Sequence, residues 1–122
     1  MTKVAIIEDD RAIAQMYRIK FEAEGYEVET ADNGKLGLEL AEKMKPDIIL
    51  LDLMMPIMNG DEMLKELRLT DWGKDIKVII LTNMGEQELP ERVRALGVKK
   101  IIAKADMTPR QVAEVVKQQL QS

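Results

Sequence analysis

The sequence predicts an α/β fold, a doubly wound (βα)₅ sandwich whose five-stranded parallel sheet has the order 2-1-3-4-5. The first observation behind this prediction is that five strand-like runs alternate with five helix-like segments along the 122 residues. The second is that three of the runs are almost continuously aliphatic, which is typical of strands covered by helices on both faces. Right-handed crossovers between parallel strands then restrict the order of the strands.

The strand-like runs are short and are separated by polar or turn-forming residues. The nearly continuous aliphatic ones contain Val4-Ala5-Ile6-Ile7, Ile48-Ile49-Leu50-Leu51 and Val78-Ile79-Ile80-Leu81. We expect strands at about 3–7, 27–31, 47–52, 77–82 and 99–103. All of these runs are far too short to span a membrane.

A helix-like segment follows each run, and the last segment has the clearest pattern. Its apolar residues recur at helical spacing and form one stripe, which consists of Val112, Val115, Val116 and Leu120. Thr108 suits the cap of this helix, Pro109 its first position, and Gln111 completes a capping box. The predicted helices are 10–24, 34–44, 60–70, 86–96 and 108–120.

Glycines indicate several of the connections. Gly25 and Gly97 come just after the first and fourth predicted helices, where a left-handed cap is favoured. Asn33-Gly34 predicts a turn before the second helix, and Trp72-Gly73 predicts a longer exposed loop. We find neither a linker nor an internal repeat, so we expect residues 1–122 to form a single domain.

The composition excludes several kinds of chemistry. The chain has neither cysteine nor histidine, which rules out disulfides, thiol nucleophiles, imidazole bases and zinc held by these residues. Hydrophobic residues make up 46% and charged residues 33%, which indicates a soluble globular protein. Since we find no signal-peptide pattern, we expect a cytoplasmic location and no membrane partner. The net charge of -4 argues against direct binding of nucleic acid.

Chemically useful side chains follow four of the predicted strands. Glu8 and Asp9 follow the first strand, Asp52 ends the third, Thr82 follows the fourth and Lys104 follows the fifth. The carboxyl ends of parallel strands share one edge of the sheet, and open α/β folds bind ligands at that edge. We therefore expect these five side chains to converge.

Three carboxylates at one point repel one another, and a hard divalent cation removes this repulsion. Magnesium is the expected ion because it takes oxygen ligands and keeps room for a phosphoryl oxygen. Asp52 would then be able to attack phosphorus and form an aspartyl phosphate. Lys104 and Thr82 would stabilise the remaining oxygens of the transferred group.

These residues carry a resemblance that covers the whole chain. In this pattern the chain resembles the receiver domain of two-component response regulators, in particular the single-domain chemotaxis regulators. The motifs are the acidic pair Glu8-Asp9, the segment Leu51-Asp52-Leu53-Met54-Met55-Pro56 with Gly60 beyond it, Thr82, and Lys104. Each motif alone is weak, whereas their combination in this order is highly specific.

The resemblance implies a flavodoxin-like fold without a separate output domain. It implies that Asp52 accepts a phosphoryl group from a sensor histidine kinase or a phosphotransfer protein, with Thr82 and Lys104 as catalytic residues. The implied Mg²⁺ ligands are the side chains of Glu8, Asp9 and Asp52 and the backbone carbonyl of Met54.

For signalling, the resemblance implies a switch that acts by contact with a downstream protein. Helix four, strand five and helix five usually form the output surface in this family. The protein would not be an enzyme, apart from weak phosphorylation of itself from phosphodonors and autodephosphorylation. The sequence leaves open whether it is a monomer or a dimer that forms on phosphorylation, and which protein lies downstream.

The chain departs from the family pattern at three positions. Glu8 replaces the commoner aspartate, so the sequence leaves open whether it reaches the ion directly or through water. Ala105 replaces a proline that follows a cis peptide bond, and because a cis bond before a residue other than proline is costly, we predict that Lys104-Ala105 is trans. Ile101 replaces an aromatic residue, which predicts a weaker or different coupling from Thr82 to the output surface.

Methionines flank the predicted phosphate pocket. They are Met54, Met55 and Met58, and Met84 lies two residues past Thr82. We hypothesise that Met54 and Met84 limit the access of attacking water and so slow autodephosphorylation.

Simpler explanations exist for each acid or hydroxyl taken singly. Asp10 is best interpreted as a helix cap, and Thr82 or Lys104 alone would more often be a turn hydroxyl or a surface charge. The first alternative function is a receiver-like protein-interaction module that works without phosphorylation, which the residues Ile101 and Ala105 allow. A phosphatase or phosphotransferase acting on small phosphoesters would need an insertion that we do not find, and no loop has the composition of a flavin-phosphate site.

Overall fold

A computed structural model of the chain describes residues 1–83 and 91–121, and it has the predicted architecture. Five parallel strands form one sheet in the order β2-β1-β3-β4-β5. The strands are β1 (Lys3–Ile7), β2 (Glu27–Ala31), β3 (Ile48–Asp52), β4 (Lys77–Thr82) and β5 (Lys100–Ala103). The helices are α1 (Arg11–Ala23), α2 (Gly34–Met44), α3 (Gly60–Arg68), α4 (Glu91–Arg94) and α5 (Pro109–Gln121).

The aliphatic strands are buried on both faces of the sheet, as predicted. Every residue of β3 is buried, and so is every residue of β1 and β4 except the first. Alternate strand residues pack into two separate hydrophobic clusters. One lies under α1 and α5, and the other includes side chains of α2, α3 and α4.

The predicted caps are confirmed. Asp10 caps α1, where its Oδ1 accepts hydrogen bonds from the backbone N–H groups of Ala12 and Ile13. Thr108 and Gln111 exchange the two hydrogen bonds of a capping box at the start of α5. Gly25 and Gly97 have positive φ angles of 91° and 78°, as expected for the residues that follow helix ends.

Two helix ends differ from the prediction by more than one residue, and one short helix was not predicted. α3 ends at Arg68 and α4 at Arg94, each two residues early, and the predicted start of the fourth helix lies outside the described residues. A short 3₁₀ helix, Lys104–Asp106, directly follows β5. Helix ends commonly shift in this way because the last turn tightens or frays.

The predicted loop at Trp72-Gly73 is present, over residues 69–76 between α3 and β4, but the prediction that these two residues are exposed was wrong. Gly73 is buried, and Trp72 is half-buried against the cluster under α2 and α3. The Lys45 ammonium lies 5.1 Å from the centre of the indole ring. The large apolar ring favours burial even within this turn-forming segment. In the described ranges, none of the helices has both the length and the hydrophobicity that a membrane span requires.

Candidate functional site

The ends of four strands deliver the predicted residues to one edge of the sheet. Glu8 directly follows β1, and its backbone N–H donates to the carbonyl of Ala31 at 2.9 Å, which holds it beside the end of β2. Asp52 is the last residue of β3, and Thr82 is the last residue of the neighbouring β4. Lys104 directly follows β5.

Three acids meet at this edge. Glu8, Asp9 and Asp52 each offer a carboxylate oxygen, and these oxygens all lie within 4.8 Å of one another. Glu8 and Asp52 are 1% and 3% exposed, whereas Asp9 is exposed. Asp9 therefore lies at the entrance of a group whose other two carboxylates are shielded from water.

The Lys104 ammonium lies between the two buried acids. Its Nζ donates to Oε1 of Glu8 at 2.5 Å and lies 3.4 Å from Oδ2 of Asp52. The lysine side chain is only 11% exposed. Lys104 thus balances part of the negative charge that the strand ends bring together.

Burial raises the pKa of Asp52 to about 7, and the adjacent Glu8 adds to this increase by hydrogen bonding and by its charge. The charge of Lys104 and the Met54 N–H lower the pKa again but do not cancel the increase. For Lys104, burial lowers the pKa, but the hydrogen bond to Glu8 and the charges of Asp52 and Glu8 outweigh it, so that the net shift is upward. The site therefore keeps Lys104 charged and makes ionisation of Asp52 costly.

The segment after Asp52 is held by its backbone. The Met54 N–H donates to Oδ1 of Asp52 at 3.3 Å, and the Gly60 N–H donates to the carbonyl of Leu53 at 3.0 Å. A Cβ atom on Gly60 would lie 2.2 Å from the Asp52 carbonyl oxygen, so only glycine allows α3 to begin this close to the strand end. Met54 itself is 63% exposed at the rim.

Three residues that the sequence singled out lie in β5 or just beyond β1 and β5, namely Asp10, Ile101 and Ala105. Asp10 caps α1, as predicted, and its N–H also donates to Oε2 of Glu8 at 3.2 Å. The described residues contain no cis peptide bond, so Lys104-Ala105 is trans, as predicted. Ile101 is half-buried against the cluster under α2 and α3. Met84, the second methionine of the predicted water barrier, lies outside the described residues.

The donor set suits Mg²⁺. Three carboxylates at mutual distances that one ion can bridge, without histidine or cysteine in the chain, form a hard oxygen site. Two of these carboxylates are buried, where their mutual repulsion favours a cation.

One residue near the site was not singled out by the sequence. Tyr17 on α1 is 2% exposed, and this burial raises the pKa of its phenol, while the charge of Lys104 lowers the pKa and that of Glu8 raises it by smaller amounts. Its place on the buried face of α1, three residues after Ala14, was the available signal. The apolar pattern that predicts the helix does not reveal where the polar end of a buried tyrosine lies.

Comparisons with known proteins identify the family. A family model for the response regulator receiver domain matches residues 4–117. The chain is 36% identical over 118 residues to the phosphate regulon transcriptional regulatory protein PhoB of Rhizobium meliloti, covering 94% of this chain but only 51% of that protein. It is 35% identical over 102 residues to sporulation initiation phosphotransferase F of Bacillus subtilis, covering 84% of this chain and 81% of that protein.

The fold comparison agrees with the family model. The chemotaxis response regulator CheY4 of Vibrio cholerae superposes with a TM-score of 0.88 at 30% identity, covering 97% of this chain and 98% of that one. The present chain spans about half the length of its PhoB relative. The protein belongs to the family of response regulator receiver domains.

Proposed function

We propose that Asp52 accepts a phosphoryl group from the phosphohistidine of a sensor histidine kinase or phosphotransfer protein in a Mg²⁺-dependent reaction. The phosphorylated protein then signals by contact with a downstream protein. The observation that carries this proposal is the buried group in which the Asp52 carboxylate lies beside two further acids and 3.4 Å from the Lys104 ammonium. Membership of the receiver family supports it.

Mg²⁺ would be held by the side chains of Glu8, Asp9 and Asp52 and by the backbone carbonyl of Met54. When bound, the ion offsets the negative charge of these carboxylates and of a phosphoryl oxygen. Glu8 accepts hydrogen bonds on both of its oxygens, but each carboxylate oxygen has a second lone pair, so these contacts do not prevent ligation.

The chain's own residues perform the transfer. A carboxylate oxygen of Asp52 attacks phosphorus, the bond between phosphorus and the donor's imidazole nitrogen breaks, and the imidazole leaves with that electron pair. Lys104 and Thr82 donate hydrogen bonds to two of the phosphoryl oxygens. The acyl phosphate formed on Asp52 is later hydrolysed, so the catalysis acts on the protein itself.

We infer that the phosphodonor binds across α1, because this helix begins at the site and has an unusual outer face. Its exposed side carries apolar residues at spacings of four, three and four, namely Ala12, Met16, Ile19 and Ala23. Met16 and Ile19 are 44% and 59% exposed. Such a stripe suits packing against a helix of the phosphodonor, and the cap residue Asp10 places its beginning beside the acids.

The experiment that tests the proposal is intact-mass measurement after incubation with acetyl phosphate and Mg²⁺. We expect one added phosphoryl group, which is absent in Asp52→Asn and when the metal is chelated. The matched control is Asp71→Asn, the same change at an exposed acid, which should be phosphorylated like the wild type. No adduct in a folded protein that binds Mg²⁺ would contradict the proposal.

One observation favours the alternative function, a protein-interaction module that works without phosphorylation. The contacts of Lys104 with Glu8 and Asp52 partly neutralise the acids without a cation. The test is to measure the affinity for one partner protein in three samples: the untreated wild type, Asp52→Asn, and the wild type treated with acetyl phosphate. Equal affinity in all three would show that the protein acts without phosphorylation.

A further inference from the structure

Arg68, the last residue of α3, holds backbone from three parts of the chain together. Its Nε donates to the carbonyl of Leu96 at 2.7 Å, and its Nη2 donates to that of Gly97 at 3.3 Å. Its Nη1 donates to the carbonyls of Gly73 and Ile76 at 2.9 and 2.8 Å. The guanidinium therefore joins the end of α3 to the loop before β4 and to the residues between α4 and β5.

The bonds to Leu96 and Gly97 fix the end of α4. The N–H groups of these two residues donate to the carbonyls of Val93 and Arg94 at 3.2 and 3.3 Å, so they prolong the last turn of α4. Carbonyls at the end of a helix have no partner within the helix and need one elsewhere. Arg68 supplies that partner for both residues.

The loop before β4 is shaped to present its carbonyls to Arg68. The Thr70 hydroxyl donates to the carbonyl of Leu67 and accepts from the N–H of Gly73, both at 2.8 Å. A Cβ atom on Gly73 would lie 2.6 Å from the Leu67 side chain and from the Thr70 hydroxyl oxygen, so a larger residue would displace this turn. Ile76 directly precedes β4, so its bond to Arg68 also fixes the start of that strand.

This arrangement depends on the shape of an arginine. A guanidinium has five N–H donors in a rigid planar fork, so one side chain can serve carbonyls that face it from several directions. A lysine ammonium is a single nitrogen on a flexible stem and cannot serve all four carbonyls at once. Arg68 is half-buried, so water only partly replaces bonds that are lost.

We propose that Arg68 is a clamp that keeps the end of α4 fixed relative to the start of β4 when the protein is phosphorylated. β4 connects the clamp to the site, since Ile76 precedes the strand and Thr82, about 20 Å further on, ends it. The end of α4 can shift against β4 only when two of the four hydrogen bonds break together. The clamp therefore gives the switch a fixed end, and this role rests on the function proposed above.

The test compares Arg68→Lys with Arg18→Lys. Each variant replaces a half-buried arginine of a helix and keeps its positive charge. Arg18 lies 3.5 and 3.9 Å from the carboxylates of Glu22 and Glu29, with which one ammonium can also pair. Only the change at Arg68 therefore removes bonds that depend on the shape of the guanidinium.

The first readout is hydrogen exchange of the Leu96 and Gly97 amides in the unphosphorylated protein. We expect exchange at least about tenfold faster in Arg68→Lys and unchanged in Arg18→Lys, because release of the carbonyls lets the end of α4 open. The amides of Glu24 and Gly25, which follow α1 in the same way, should keep their rates in Arg68→Lys. Unchanged exchange after α4, or equal acceleration after α1, would overturn the inference.

Thr70→Val keeps the test decisive if Arg68→Lys fails to fold. It removes the hydroxyl that places the Gly73 carbonyl and leaves Arg68 itself intact. We expect exchange of the Leu96 and Gly97 amides to be about threefold faster, because one of the four bonds is weakened. Thr70→Ser, which keeps the hydroxyl, should match the wild type, and equal rates in the two Thr70 variants would count against the clamp.

The second readout is the change in the NMR signals of the Leu96 and Gly97 amides when Asp52 is phosphorylated by acetyl phosphate with Mg²⁺. The change should be at least about twofold larger in Arg68→Lys than in the wild type or Arg18→Lys, because the end of α4 is then no longer held. Equal changes in all three proteins would refute the role of the clamp in the switch. Hydrogen exchange requires no phosphodonor, so a wild type that fails to phosphorylate would refute the proposed function and still leave the clamp testable.

Discussion

Asp52 is a carboxylate in a place where ionisation is costly. It is 3% exposed, and burial together with Glu8 raises its pKa from 3.8 to about 7. Because the folded state holds this proton more tightly than the unfolded state, the folded protein binds more protons between pH 4 and pH 7. The contribution of Asp52 to the free energy of unfolding is therefore greatest at acidic pH and falls as the pH rises through about 7.

This linkage gives a prediction for Asp52→Asn without Mg²⁺. The amide cannot ionise, so the stability advantage of the variant over the wild type should be larger at pH 8 than at pH 5 by on the order of 2 kcal/mol. At pH 5 Asp52 is protonated in the folded wild type but mostly ionised in its unfolded chain, so only part of the pH-dependent loss has occurred. Urea denaturation at the two pH values measures the difference.

The control for this prediction is again Asp71→Asn, since Asp71 is exposed. Its stability relative to the wild type should not depend on pH in this way. A stability gain of Asp52→Asn that is the same at pH 5 and pH 8 would show that charge burial is not its cause.

At the scale of the element, α1 has two apolar faces with different partners. Ala14, Tyr17 and Phe21 are buried against the sheet. On the opposite face, Met16 and Ile19 remain exposed, although a helix that only covers a sheet needs a single apolar stripe. The outer stripe is therefore not required by the fold.

We predict that Ile19→Glu impairs phosphotransfer from a protein donor only. The donor is the autophosphorylated sensor kinase that transfers fastest among those of the same organism. A charge within the stripe should slow transfer from this kinase by at least tenfold. The rate with acetyl phosphate should stay within about twofold of the wild type, because Ile19 does not line the acidic site. Transfer of radiolabelled phosphate measures both rates.

Leu69→Glu provides the control at an exposed apolar residue outside α1. Leu69 follows α3 and is 73% exposed, so the change in charge and hydrophobicity is comparable. Kinase transfer that slows equally in both variants, or in neither, would count against docking on α1.

At the scale of the whole molecule, the parallel sheet brings together three carboxylates that repel one another. Glu8, Asp9 and Asp52 come from two separate segments of the chain and meet only when β1 and β3 pair. A cation that binds this arrangement, and not the unfolded chain, raises the stability of the entire domain.

We predict that Mg²⁺ at about 100 times its Kd raises the Tm by about 5–10 °C at pH 8. The increase should be smaller at pH 6, because the proton on Asp52 competes with the ion. Asp9→Asn should remove most of the increase with little effect on the cation-free Tm, since Asp9 is exposed. Calorimetry with and without chelator provides the values.

Asp10→Asn is the control for Asp9→Asn. Asparagine caps helices as well as aspartate does, so this variant should keep both its fold and its response to Mg²⁺. An unchanged Mg²⁺ response in Asp9→Asn would exclude Asp9 as a ligand.

Much of the architecture could be predicted along the chain because it depends on local patterns. Continuous aliphatic runs indicate strands buried on both faces, as β3 shows, and the capping box of Thr108 and Gln111 depends on residues three positions apart. These patterns also restrict the strands to a parallel sheet. The carboxyl ends of parallel strands share one edge, so the meeting of the acids and the lysine at that edge could be predicted as well. Trp72 was misjudged because its packing partners come from other elements.

The order of residues sets which groups reach the edge of the sheet, whereas tertiary packing alone decides how they act on one another. No spacing predicts that Lys104 bonds Glu8 more closely than Asp52. The raised pKa of Asp52 likewise depends on how far its burial in the folded chain excludes water and on its closeness to Glu8. Such effects are decided by distances of a few ångströms between residues up to 96 positions apart in the chain, because Coulomb energy depends on separation in space and on burial.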